Sequence, residues 1–183
     1  RTGEKSRYEL LTVRRLTPRM GLLELVAAMS IVVQKIFSVH LTIVGDGPLR
    51  KELESLARRE GGSDRILFTG LLPREELHGW LKVADVFVLN STYEGLPHTL
   101  IEAMALGTPV VASDIEANRE VITHGREGIL VPSGNPEALH VAIKETLTNK
   151  VEAQRRVTAA RLLAADFSVE QTMQGLVKVL HSL

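Results

Sequence analysis

Short apolar runs alternate along this chain with longer stretches in which apolar residues recur every three or four positions. The runs Tyr8–Val13, His40–Val44, Ile66–Thr69, Val86–Leu89, Pro109–Ala112 and Gly128–Val131 hold few polar residues, and most are rich in β-branched side chains. That is the pattern of strands covered on both faces; a strand open to water on one side alternates instead. The stretches between them predict helices over Gly21–Phe37, Leu49–Glu60, Arg74–Ala84, about Pro97–Leu106 and Pro136–Asn149. A short helix is expected over Asn118–Thr123 and another after Val151. Strand alternating with helix predicts a single α/β domain, a Rossmann-like doubly wound parallel sheet with helices on both faces.

Local punctuation agrees with that pattern. Pro97 is placed to open its helix at the first position, where the missing N–H costs nothing, and Gly107 and Pro109 end it. Asn135-Pro136 and Ser168 read as starts of the last helices. In such a sheet ligands bind at the carboxyl ends of the strands. The loops after Val13, Val44, Thr69 and Leu89 are therefore the ones to search, and they hold the unusual residues.

Composition narrows the function classes. A length of 183 residues suits one well-buried domain and is short for two. The 22 Lys and Arg balance 22 Asp and Glu, without the basic excess that phosphate-backbone binding requires. One Trp, two Tyr and four Phe form no stacking stripe, so nucleic acid is not an expected partner. There is no Cys, which removes disulfides and thiolate metal sites together. No His pair shows ligand spacing and no two Asp lie two apart, so neither a metal nor another cofactor is expected. Gly45-Asp46-Gly47-Pro48 follows a strand but has Arg50 where a dinucleotide loop has its third glycine. The longest apolar run, Leu22 to Val33, is interrupted by Glu24 and Ser30 and is too short for a bilayer. With no signal-peptide pattern, a cytoplasmic location is expected. The opening residue, Arg1 rather than Met, reads as part of a longer protein.

Chemistry concentrates in residues 90 to 113, NSTYEGLPHTLIEAMALGTPVVAS. Glu94 falls in a loop and Glu102 inside the following helix, and between them the amides of His98 and Thr99 fall at a helix N-terminus. Unsatisfied amides and the helix dipole favour an anion there. Carboxylates on either side of an anion seat suit a nucleoside diphosphate sugar, since they accept hydrogen bonds from sugar diols. His98 reads as a backbone contributor rather than a general base, and His40, His78, His124, His140 and His181 as solvent-side or capping residues.

The segment E-G-L-P-x-x-L-I-E-A-M-A-x-G-T-P-V-V-A-S resembles the E-x₇-E signature of the group 1, GT4-type retaining glycosyltransferases of the GT-B fold. VRRLTPRMG is similar to the family's V-G-R-L-(S/T)-P-x-K-G loop, and IVGDGPLRKELE to the strand and helix that follow. ILFTGLLPREELHGWLKVADVFVLNSTYEG and NREVITHGREGILVPSGNPEAL extend the likeness over nearly the whole chain.

The resemblance implies the C-terminal, donor-binding half of a two-domain enzyme, over residues 1–183, with a separate N-terminal domain carrying the acceptor site and catalytic His. It implies that Glu94 contacts the transferred sugar, Glu102 the ribose, and the amides of His98 and Thr99 the diphosphate. Gly95, Leu96 and Pro97 complete that donor loop, Arg15 neutralises the departing diphosphate, and backbone around Gly70 and Leu72 holds the base. Glu94 and Arg15 are thereby the catalytic candidates. The implied reaction is sugar transfer from a UDP- or GDP-type donor to a hydroxyl, without metal, with any membrane contact carried by the other half. Two departures stand out: the family's phosphate-binding Lys falls on Met20, for which the neighbouring Arg19 is the expected substitute, and a frequent Gly falls on Pro97. Met20 favours a rival reading, a non-catalytic nucleotide-sugar-binding or interaction domain. A sugar-nucleotide epimerase of related fold is the other.

Overall fold

The strands are β1 (Tyr8–Val13), β2 (Val39–Val44), β3 (Ile66–Gly70), β4 (Val86–Leu89), β5 (Val110–Ser113) and β6 (Ile129–Val131). They form one sheet in the order β3-β2-β1-β4-β5-β6, with every neighbouring pair parallel. This is a computed structural model describing residues 7–35, 38–62 and 64–167.

The helices are α1 (Leu22–Lys35), α2 (Arg50–Arg59), α3 (Arg74–Val83), α4 (His98–Leu106), α5 (Glu116–Arg119), α6 (Pro136–Thr148) and α7 (Lys150–Ala165). Successive strand residues point to opposite faces, and here both faces are covered. Leu10, Val86, Val88 and Val111 pack with Leu25, Met29, Leu53 and Ile143 of α1, α2 and α6. Leu11, Phe87, Leu89 and Ala112 pack with Leu81, Leu100, Met104 and Ala160 of α3, α4 and α7. The double burial explains the near-absence of polar residues in the strand runs, and the expected doubly wound sheet is present.

Several boundaries differ from the sequence reading. Pro97 takes the N-cap position, and α4 begins at His98. The short helix runs Glu116–Arg119 rather than Asn118–Thr123: Asn118 is buried, and its amide donates to the Ser113 carbonyl at 2.8 Å. The last helix starts at Lys150, after Asn149, whose side chain accepts from the Glu152 amide. His140 is buried within α6 rather than solvent-facing. Ile36, Phe37, Ser168 and His181 lie outside the described residues.

Two glycines hold the carboxyl-end loops together. Gly21 sits at φ +62, and a Cβ there would come within 2.0 Å of the Asn90 carbonyl oxygen, so only glycine lets α1 start against the end of β4. The Asn90 side-chain amide donates back to the Gly21 carbonyl at 2.8 Å. Gly45 (φ +138) lies against the Arg14 backbone, where a Cβ would meet the Arg14 carbonyl oxygen at 1.7 Å. The Asp46 carbonyl then accepts from the Leu16 amide at 3.0 Å, and the Leu49 amide donates to the Leu16 carbonyl at 2.9 Å. The Gly-Asp-Gly segment is thus a buttress beneath the loop after β1.

Candidate functional site

The strand order reverses between β1 and β4. Connections leaving these two strands diverge, which opens a crevice at their carboxyl ends. A cleft of about 300 Å³ lies there, lined by Val13, Arg14, Arg15 and Met20 from the β1 side and by Leu89, Glu94, Leu96, Pro97, His98 and Thr99 from the β4 side. Arg15 precedes Glu94 and the start of α4 by more than seventy residues in sequence, and meets them here.

At the cleft floor, Pro97 offers no side-chain cap to α4. The helical ladder begins where the Ile101 amide donates to the Pro97 carbonyl, at 3.1 Å. The amides of Thr99 and Leu100 precede that bond and meet the positive end of the helix dipole. The His98 amide, expected to face an anion, donates to the Leu96 carbonyl at 2.9 Å. Of the two amides named from sequence, His98 is thus taken up by the Leu96 carbonyl, and Thr99 is the one left to face an anion.

Glu94 is joined to Arg14 by an ion pair in which the guanidinium Nη2 donates to Oε1. Their side chains are 4% and 17% exposed, so this pair is shielded from water. Burial holds the Arg14 pKa below its ordinary value, while the attraction of Glu94 opposes that shift. The same Nη2 lies 2.9 Å from the Met20 Sδ, and Nη1 is buried without a hydrogen-bond partner. From sequence alone Arg14 ranks behind Arg15 as a phosphate cation, and its contact with Glu94 is not foreseen. The signal available was an Arg where the resembling loop has Gly, six residues from a Met where it has Lys.

Glu102 lies on α4 outside the residues lining this cleft and accepts from Arg74 of α3 at 2.8 Å, in a pair whose Arg is 77% exposed. Arg19 does not line the cleft either. It is exposed, adopts φ 73, and is held through its carbonyl, which accepts from the Thr92 amide at 3.0 Å and the Thr92 hydroxyl at 3.2 Å. The substitute for a cation at position 20 is thus not positioned from Arg19; the guanidinium beside Met20 is that of Arg14. Gly70 closes β3 with its carbonyl accepting from the Gly45 amide, and Leu72 packs on the α3–α4 side of the core, both apart from the cleft. Gly95 lines an adjoining groove of about 460 Å³ on the other side of the Glu94 loop, with Tyr93, Glu116 and Glu120.

Residues 2–162 match the family model described as glycosyl transferases group 1. The amylovoran biosynthesis glycosyltransferase AmsK of Erwinia amylovora is 32% identical over 181 residues, covering 95% of this chain and 44% of that protein. A GDP-mannose-dependent alpha-(1-6)-phosphatidylinositol monomannoside mannosyltransferase of Mycobacterium tuberculosis is 31% identical over 168 residues, covering 88% of this chain and 43% of its own. The chain thus spans less than half the length of these relatives. Among solved structures, Anabaena HepE in complex with UDP superposes with a TM-score of 0.88 at 25% identity, over 97% of this chain and 50% of that one. The C-terminal domain of a group 1 family protein from Francisella tularensis has the same fold, with a TM-score of 0.81 at 21% identity over 87% of this chain and 85% of that one.

Proposed function

The chain belongs to the group 1 glycosyltransferases, and on that premise we propose that it is the donor-binding half of a retaining enzyme, transferring a hexosyl group from a UDP- or GDP-sugar to a hydroxyl acceptor. The observation that carries this reading is the cleft at the β1–β4 reversal, where Arg15, the uncapped start of α4 and the Glu94 carboxylate converge. Anionic phosphate is favoured at the helix start. Arg15 stands across the cleft to stabilise the diphosphate as it leaves, a charge-developing step where fixed cations act most strongly. Glu94 accepts hydrogen bonds from the sugar. Charge on the diphosphate is met by side chains in this reading, so transfer proceeds without a bound metal. The acceptor and the remaining half of the cleft come from a preceding domain of the same protein, at the cytoplasmic side.

Calorimetric titration of this chain with UDP, GDP, ADP and their sugars tests the reading. Heat with at least one of them, undiminished by EDTA, is expected, and affinity is weak because half of the cleft is supplied elsewhere. No heat with any of them at millimolar ligand sinks it. A domain that binds donor without supporting transfer is the competing reading, favoured by the apolar Met20 in the cleft lining.

A further inference from the structure

The Arg14 guanidinium is a cation placed inside the cleft by the strand itself. Arg14 directly follows β1, its amide donates to the Val44 carbonyl at 2.9 Å, and the Gly45 loop lies against its backbone, so its main chain is held at the strand end. Its side chain is almost fully buried, lines the cleft together with Arg15, His98 and Thr99, and leaves Nη1 without a partner. A buried N–H donor without an acceptor is costly, and native structures rarely keep one without a reason. Nη2 meanwhile touches both Glu94 and the Met20 sulfur.

We propose that Arg14 is a donor-binding cation of this site, supplying from the end of β1 the positive charge that position 20 lacks. While the seat is empty, the guanidinium is paired with Glu94. When a diphosphate occupies it, a phosphate oxygen takes the spare Nη1 donor, and Glu94 is released in part to accept from the sugar. Met20 is then the apolar wall against which Arg14 packs, and a Lys there would compete with Arg14 for one space and one anion. This assignment rests on the donor-site reading above, but predicts which side chains carry the charge.

The test is a charge exchange in this chain, read by calorimetry with UDP and GDP at several salt concentrations. Arg14→Met should weaken the diphosphate that binds by tenfold or more and flatten its salt dependence, because a phosphate contact has been removed. Met20→Lys should restore binding in the Arg14→Met background and change it less than twofold in the parent. Arg14→Lys keeps the charge and should retain most of the affinity. Arg14→Met folded and binding within twofold of the parent overturns the assignment. So does a tenfold tightening by Met20→Lys in the parent, which remains decisive if Arg14→Met does not fold. A parent chain that binds neither UDP nor GDP is a different result, since it removes the donor site and not only the role of Arg14.

Discussion

Thr92, just beyond β4, gives both its amide and its hydroxyl to the carbonyl of Arg19, a residue held in the left-handed region at φ 73. The contact ties the two loops that flank the cleft, and it does so at the expense of backbone strain. An L-residue in that region costs roughly 1–2 kcal/mol, against about 0.5–1 kcal/mol of chain entropy for glycine. Arg19→Gly should therefore stabilise the chain by about 0.5–1 kcal/mol in urea unfolding. Because the Arg19 side chain lies outside the residues lining the cleft, nucleoside diphosphate affinity should stay within twofold. A large loss of affinity would return Arg19 to the phosphate seat.

Glu94→Gln separates the two ligand types. Glu94 is placed on the sugar and not on the phosphates, so the sugar conjugate should weaken by roughly 10- to 150-fold, the loss of one charge-assisted hydrogen bond. The bare diphosphate should bind as well or better, since Arg14 is freed from its partner. The same change leaves a buried guanidinium without its anion, and breaking such a pair by removing one member costs about 3–5 kcal/mol. Calorimetry and urea unfolding on one preparation check both halves. Equal weakening of the two ligand types would remove Glu94 from the sugar.

The architecture was legible because double burial writes itself into composition: the four residues of β4 are all buried and all apolar. The Glu94 loop and the start of α4 were legible because an acidic loop followed by a helix start is local in sequence. The pairing and burial of Arg14 were not, for a physical reason. Its meaning lies in a contact with Glu94, eighty residues away, and in a burial that a charge beside a strand does not announce. The four-residue α5 failed similarly: Asn118 has the side chain of a helix starter, but its amide is used by Ser113 and not by a following turn. His140 carries a polar ring on an apolar helix face, and periodicity alone does not tell an inward ring from an outward one.

The Glu102–Arg74 pair is of the opposite kind to Glu94–Arg14. Its guanidinium is largely in water, where such pairs contribute about 0–1 kcal/mol. Arg74→Ala should leave stability within about 0.5 kcal/mol and release Glu102 as an acceptor. If Glu102 holds the ribose, Arg74→Ala binds nucleoside diphosphate as tightly as the parent or more tightly, and Glu102→Gln weakens it with and without a sugar. Glu102→Gln without effect on either ligand would confine Glu102 to bridging α3 and α4.

His40 on β2 gives a pH signature of the fold that is independent of the cleft. Its pKa is lowered first by burial and then by the charges of Arg7 and Arg65, against a partial opposing pull from Glu9 and Asp64. Its ring Nδ1 is buried with no hydrogen-bond partner. At pH well above about 6.5, the imidazole is neutral both folded and unfolded and contributes no slope. As pH falls below that value, the unfolded chain binds a proton that the folded chain resists, so stability drops until the folded ring also titrates. The loss therefore begins near the unfolded pKa and runs downward. Urea midpoints of the parent should fall between pH 7.5 and 5.5 by more than those of His40→Gln, whose side chain is neutral throughout. The other titrating groups are common to both proteins, so the difference between the two profiles belongs to His40. Parallel profiles would mean that the folded environment admits the charged ring as readily as water does.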